Sequence, residues 1–190
     1  MQPRLALARE IAHRARVRNP FKERTQPWTA EELRGVGPQV LPDRTGWKLT
    51  ASHGSDRAGR AIDGNLETRY ETGAEQKPGM WFQIELPEGT TASGLYLDAA
   101  SSTRDYPRRY EVWISDDGND WSDPIASGTG NARTTEITFA PVKTRFIRIT
   151  QTGTARGLFW SIHELQVLQP ADPEKVKAAS SKKAAASPLE

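Results

Sequence analysis

The sequence predicts an all-β sandwich, on three observations. Short β-rich runs alternate with turn residues from about Gly46 to Leu168, at the spacing of a sandwich or barrel. Period-two alternation is clear where it matters: Phe146 and Arg148 share one face, Ile147 and Ile149 the other, and Tyr110, Val112 and Ile114 line up likewise. No long amphipathic helix fits inside this stretch, which argues against a βαβ arrangement.

In chain order the expected strands are residues 47–51, 80–86, 92–97, 109–115, 134–139, 145–151 and 161–168. Asp116-Asp117-Gly118-Asn119 and Gly128-Thr129-Gly130-Asn131 supply residues that tolerate positive φ between strands. Each strand has one face to bury and one that meets water or loops.

The flanks differ in character. Residues 1–45 read as a helical or irregular extension. Leu5, Leu7, Ile11 and Ala12 recur at roughly helical spacing over residues 3–18, and Asn19-Pro20 ends that pattern. Thr29-Ala30-Glu31-Glu32 has the form of a capping box opening a second short helix, which Gly35 and Gly37-Pro38 stop. The sandwich is assigned to residues 46–168. Residues 169–190, rich in Ala, Ser and Lys after Pro170 and Pro173, have little to bury and are expected to be disordered.

Composition narrows the function classes. The 190 residues are 36% hydrophobic and 26% charged. That supports one core, and no apolar run reaches the ~20 residues needed to span a bilayer. The net charge is only +2. The basic side chains near the start (Arg4, Arg9, Arg14, Arg16, Arg18, Lys22, Arg24) read as a solvated face or tail, so no nucleic-acid partner is expected. The absence of cysteine removes disulfides, thiolate metal sites and cysteine nucleophiles together. Residues 1–21 are interrupted by charge and lack the apolar run of a secretion signal, which leaves an intracellular protein or a piece of a longer exported one. No nucleophile elbow, phosphate loop or His-rich metal cluster is present, and no catalysis is expected.

Asp63-Gly64-Asn65 followed by Thr68 sets hard oxygen donors on a tight loop. The same residues serve an ordinary turn or a calcium site, and spacing alone leaves both open.

Five motifs, in order, carry a resemblance to a known family. They are Ala61-Ile62-Asp63-Gly64-Asn65-Leu66-Glu67-Thr68-Arg69-Tyr70; Trp81-Phe82-Gln83-Ile84-Glu85-Leu86; Tyr110-Glu111-Val112-Trp113-Ile114-Ser115-Asp116-Asp117-Gly118 with Trp121; Arg145-Phe146-Ile147-Arg148-Ile149; and Trp160-Ser161-Ile162-His163-Glu164-Leu165. The stretch from Gly46 to Leu168 resembles the discoidin, or F5/8 type C, family, which overlaps one family of carbohydrate-binding modules with a galactose-binding-like fold.

The resemblance implies a jelly roll of about eight antiparallel strands and binding rather than chemistry. It implies a structural calcium held by the Asp63 side chain, carbonyl oxygens near Arg60 and Asn65, Thr68, and Glu164 from the last strand. It implies an extracytoplasmic setting, a monomer, other domains of a larger polypeptide as neighbours, and a carbohydrate ligand. Adhesion to protein or phospholipid surfaces is the alternative, and membrane binding is not expected, because the loops offer little beyond Leu158 and Phe159.

A sugar offers hydroxyls and one apolar face, so its site needs an aromatic ring and a few hydrogen-bonding groups. The loops that match the family's binding end hold His53, Glu71, Asp98, Arg104, Tyr106 and Phe159, with Thr72, Ser101, Asp105 and Trp160 beside them. Glu71 stands where sugar-binding members often carry histidine. Leu97-Asp98-Ala99-Ala100 lacks an arginine that often contacts galactose-like ligands, and Arg104 is displaced from it. Galactose specificity therefore does not carry over. Each residue also has a plain reading. Trp160 reads as core more than platform, Phe159 as either, and Tyr106 before Pro107 as a turn residue. Arg104 with Asp105 reads as a solvated pair, His53 as a loop residue, and His163 as one on a strand face.

Overall fold

Alternation decides which face of each strand is buried, and the computed structural model shows the result for residues 39–171. In β4 (Trp81–Glu85), Phe82 and Ile84 are fully buried while Trp81, Gln83 and Glu85 are half-exposed. In β9 (Phe146–Gln151), Ile147 and Ile149 are fully buried beside half-exposed Arg148.

The remaining strands are β1 (Gln39–Val40), β2 (Lys48–Ala51), β3 (Tyr70–Glu71), β5 (Thr91–Asp98), β6 (Tyr110–Ser115), β7 (Ala126–Gly128), β8 (Thr134–Lys143), β10 (Ser161–Ile162) and β11 (Glu164–Gln169). They form a four-stranded sheet in the order β1-β11-β5-β8, a five-stranded sheet in the order β2-β4-β9-β6-β7, and a two-stranded pair of β10 with β3. All of these pairings are antiparallel. The core includes Tyr70, Phe82, Ile84, Leu95, Leu97, Val112, Ile137, Ile147, Ile149, Trp160, Ile162, Leu165 and Val167. The expected β-sandwich is therefore the observed one.

The departures have physical reasons. β1, β3, β7 and β10 hold two or three residues each, too few to show a period. β1 pairs with the last strand through Val40 and Leu168, so the sheet takes in residues before Gly46. The run expected at 161–168 is two strands. β10 pairs Ile162 with Tyr70, and β11 pairs Glu164 with Asp98 in a different sheet. The chain changes sheet at His163, whose amide donates to the Asp98 carbonyl at 2.8 Å. β8 continues past Phe139 through Pro141 to Lys143. It lies at a sheet edge, where proline's missing N–H breaks no ladder. A 3-10 helix over Ser55–Ile62, which the sequence did not signal, buries Ala58 and Ala61 against the core. The helices read within residues 3–18 and from Thr29, and the tail from Asp172 onward, lie outside the described residues.

Candidate functional site

The loops 72–80, 99–109 and 152–160 follow or precede strand ends at one end of the sandwich. What fastens them is Gln76, which is 1% exposed. Its Nε2 donates to the Tyr106 carbonyl at 3.0 Å and the Phe159 carbonyl at 2.7 Å. Its Oε1 accepts from the Arg108 amide at 3.3 Å and from Gln151 Nε2. Its own amide donates to Leu158, and its carbonyl accepts from Ala155. Gln151, fully buried, accepts the Arg109 amide on Oε1 at 3.2 Å. Two buried amide side chains thus join three loops in one arrangement, together with an isolated antiparallel bridge between Gln76 and Ala155 and a backbone bond from the Thr152 amide to the Arg109 carbonyl.

On this support Phe159 is 37% exposed, the one large apolar side chain exposed among the described residues. Tyr106 is half-exposed, with the Arg108 guanidinium 3.9 Å from its ring centroid. Arg108 Nη2 donates to the Arg104 carbonyl at 2.8 Å, and the Arg104 side chain is exposed. Other aromatic faces are less available. Arg148 lies over both Trp81 and Trp121, at 4.7 and 3.9 Å.

Around this centre the expected residues fall into two groups. Glu71 is joined to it through β10, where it pairs with Ser161. The Ser161 amide donates to the Asp105 carbonyl at 2.9 Å, and its hydroxyl lies 3.1 Å from Asp105 Oδ2. Asp105 therefore bonds inward and forms no ion pair with Arg104, contrary to the solvated pair read from the sequence. The Glu71 carboxylate is held by Arg69, at 2.6 Å from Nη2 and 2.8 Å from Nε. His53 is exposed beside Glu71: a Cβ on the next residue, Gly54 (φ +64), would stand 2.3 Å from the Glu71 carbonyl oxygen. The His53 ring contacts Ser52 Oγ at 2.9 Å, and its carbonyl accepts the Tyr70 hydroxyl.

Asp98 lies apart from the exposed group. It is 6% exposed, its Oδ1 accepts the Ala100 amide at 2.7 Å, and burial pushes its carboxyl up. It fastens the turn in which Ala100 adopts φ 42, rather than facing solvent. Trp160 is fully buried, edge-on to Tyr70 at 6.4 Å, which makes it core. His163 is 2% exposed, not set on an open strand face. Its Nδ1 lies 2.7 Å from the Leu66 carbonyl, to which it donates, and its Nε2 lies 2.9 Å from the Ser102 hydroxyl.

The second site is the loop after the 3-10 helix. Gly64 (φ +75) turns the chain so that Asp63 and Asn65 point oxygens into one region. Asp63 Oδ1 accepts the Asn65 amide at 2.9 Å, and Oδ2 lies 2.5 Å from the Thr68 hydroxyl, which also lies 3.0 Å from the Asn65 carbonyl. Glu164, 1% exposed, reaches this loop from β11, and its Oε2 accepts the Gly64 amide at 3.2 Å. Its other oxygen pairs with Arg44, whose Nη1 also donates to the Ile62 carbonyl at 2.9 Å. Burial raises the Glu164 carboxyl, and Arg44 works against that shift. Arg60 is exposed within the 3-10 helix.

Among the described residues no three His, Cys, Asp or Glu gather at one point. The donor set is two carboxylates, carbonyls and a hydroxyl, all hard oxygens, which fits calcium rather than a transition metal. The fit has one condition: Arg44 already occupies Glu164 Oε1.

Sequence reasoning found the exposed ring, the loops and the oxygen-rich turn. It missed Gln76, Gln151, Arg69, Arg108 and Arg44. A glutamine in a loop gives no signal that it is buried, and Arg44 lies 120 residues from its partner in the chain.

Comparison with known proteins gives consistent results. A family model described as F5/8 type C domain matches residues 46–165. A galactose oxidase of Gibberella zeae is 28% identical over 137 residues, 66% of this chain and 20% of that protein, so the chain spans about a fifth of the relative's length. Among solved structures, a Clostridium perfringens carbohydrate-binding module in complex with GalNAc-beta-1,3-galactose superposes with a TM-score of 0.59 at 23% identity, covering 68% of this chain and 99% of that one. A family 32 module of C. perfringens NanJ in complex with galactose gives 0.58 at 24% identity, covering 70% and 99%. A chitosan-binding module from Paenibacillus sp. IK-5 gives 0.55 at 24% identity, covering 65% and 94%. At these identities the structures speak for the fold.

Proposed function

The chain belongs to the F5/8 type C family, and from that premise we propose that it is a non-catalytic module binding carbohydrate through the loops around Phe159. The observation that carries the proposal is the exposed Phe159 ring, on a backbone that one buried glutamine ties to that of Tyr106, whose ring carries the Arg108 guanidinium. A preformed loop loses little freedom on binding, and sugar C–H faces stack on exposed aromatic rings. The sugar complexes of the similar modules support the class of ligand. They do not transfer galactose, since Glu71 and the Leu97–Ala100 stretch depart from the galactose-binding pattern. The oxidase activity of the fungal relative is that of a protein of which the match covers only 20%, and the proposal assigns none of it to this module. The proposal includes an extracytoplasmic setting and attachment to further domains, which would compensate a weak single site by avidity.

Phe159→Ala is expected to weaken glycan binding about tenfold, ~1.4 kcal/mol, with the melting temperature unchanged. Affinity electrophoresis and differential scanning fluorimetry read the two effects. If the protein binds no glycan on an array but sediments with liposomes, the carbohydrate reading is wrong and the lipid one takes its place.

The proposal also includes calcium at the turn, held by Asp63, Thr68, Glu164 and carbonyl oxygens near Arg60 and Asn65. The ion would tie the 3-10 helix end to β11, and it must displace Arg44 from Glu164 Oε1. Arg44→Gln is therefore expected to tighten calcium binding at least tenfold in calorimetry. In chelator the same variant should be less stable by on the order of 3 kcal/mol, because a buried carboxylate loses its partner, and calcium should restore it. Should calcium shift the melting temperature of neither protein, the metal reading is wrong.

A further inference from the structure

We propose that the glycan bound at the Phe159 end is anionic, carrying carboxylate or sulfate groups; this rests on the carbohydrate reading and sharpens it. The net charge of the whole chain is only +2, yet the three loops that form this end hold five cationic side chains (Lys77, Arg104, Arg108, Arg109, Arg156) against two acids. What matters is how those charges are used. Both acids already have partners within the protein. Glu75 pairs with Lys77 at 3.4 Å and accepts the Gly157 amide, and Asp105 bonds to Ser161. The flanking acids are engaged too, Glu71 by Arg69 and Asp98 by the Ala100 amide. None of the four arginines forms an ion pair among the described residues.

The arginines are also presented rather than merely nearby. Arg108 is held flat on Tyr106 and tied to the Arg104 carbonyl through Nη2, while its buried Nη1 has no protein partner. Arg108 therefore adds fixed positive charge beneath the site and holds the Arg104 backbone, while the open guanidinium forks that suit a planar carboxylate or a sulfate are those of the exposed arginines. Arg156 is exposed in the turn that Gln76 and Glu75 fasten, three residues before Phe159. Arg104 is exposed two residues before Tyr106. The site therefore combines an apolar ring with unpaired cations on one rigid support. A neutral sugar would leave those cations unused. A nucleic acid would call for a longer basic track than these loop tips supply.

The test uses matched pairs of immobilised polysaccharides that differ only in charge: polygalacturonate against its methyl ester, and carrageenan against its desulfated form. The expected result is binding to at least one acidic member, at least tenfold weaker binding to its neutral partner, and a steep loss between 50 and 500 mM salt. Arg104→Gln with Arg156→Gln should weaken binding to the acidic member about tenfold without moving the melting temperature, while Phe159→Ala weakens both members of a pair. Equal binding to charged and neutral members overturns the inference and leaves the carbohydrate reading standing. Binding only to neutral glycans on an array does the same. Binding to single-stranded DNA or phosphatidylserine vesicles, with no glycan bound at all, overturns both.

Discussion

Replacing Gln76 with leucine is expected to lower stability by about 4 kcal/mol and to abolish ligand binding, although the side chains are similar in size. Leucine fills the space but makes none of the hydrogen bonds. The Tyr106 and Phe159 carbonyls lose their donor, and the Arg108 amide and the Gln151 side chain lose their acceptor. Each buried group left unpaired costs roughly 1–3 kcal/mol. The sum is reduced because loops can open and let water in, whereas a strand cannot. The damage should therefore be local first. Amide exchange in 99–109 and 152–160 rises while the sheets keep their protection, and the melting temperature falls on the order of 10 °C. Gln76→Glu sharpens the test, since an ionised carboxylate can accept from Arg108 but cannot donate to two carbonyls. It should destabilise at neutral pH almost as much as leucine does. Wild-type melting and binding in both variants would show that the loops hold themselves.

The sandwich was legible because its signal is periodic. Ile147 and Ile149, or Phe82 and Ile84, declare a buried face in four or five residues. What escaped is what periodicity cannot carry. β10 and β3 have two residues each, and the change of sheet at His163 depends on a bond to Asp98, 65 positions earlier. The candidate site divides along the same line. Phe159 and Tyr106 were visible as aromatic residues in loops, because residue type and turn context are local. That Asp105 turns inward to Ser161, that Asp98 fastens a turn, and that Arg44 reaches Glu164 are facts about distant partners. The Gln76–Gln151 pair is the clearest case. Glutamine is ordinarily exposed, so nothing in the sequence marks these two as the support of the site.

Trp160→Ala is expected to cost about 3–5 kcal/mol, the largest single effect among aromatic replacements at this end. The neighbouring Phe159→Ala should leave stability unchanged. The two rings are adjacent in sequence and opposite in role. Trp160 is fully buried, edge-on to Tyr70, which in turn packs at 4.7 Å from Phe82. Its backbone exchanges bonds with Thr72, the amide donating to the hydroxyl and the carbonyl accepting the Thr72 amide. Losing the indole opens a cavity where β3, β4 and β10 meet, and a domain of ordinary stability has only ~5–15 kcal/mol to lose. Trp160→Phe separates size from polarity. Trp160 Nε1 is buried with no protein partner, so phenylalanine removes some volume but also an unpaired donor, and its net cost should stay below about 2 kcal/mol. Chemical denaturation read by far-ultraviolet circular dichroism measures all three variants. If Trp160→Ala instead melts like the wild type and loses only glycan affinity, the indole is part of the binding platform, and the position of the ligand on this end has to be redrawn.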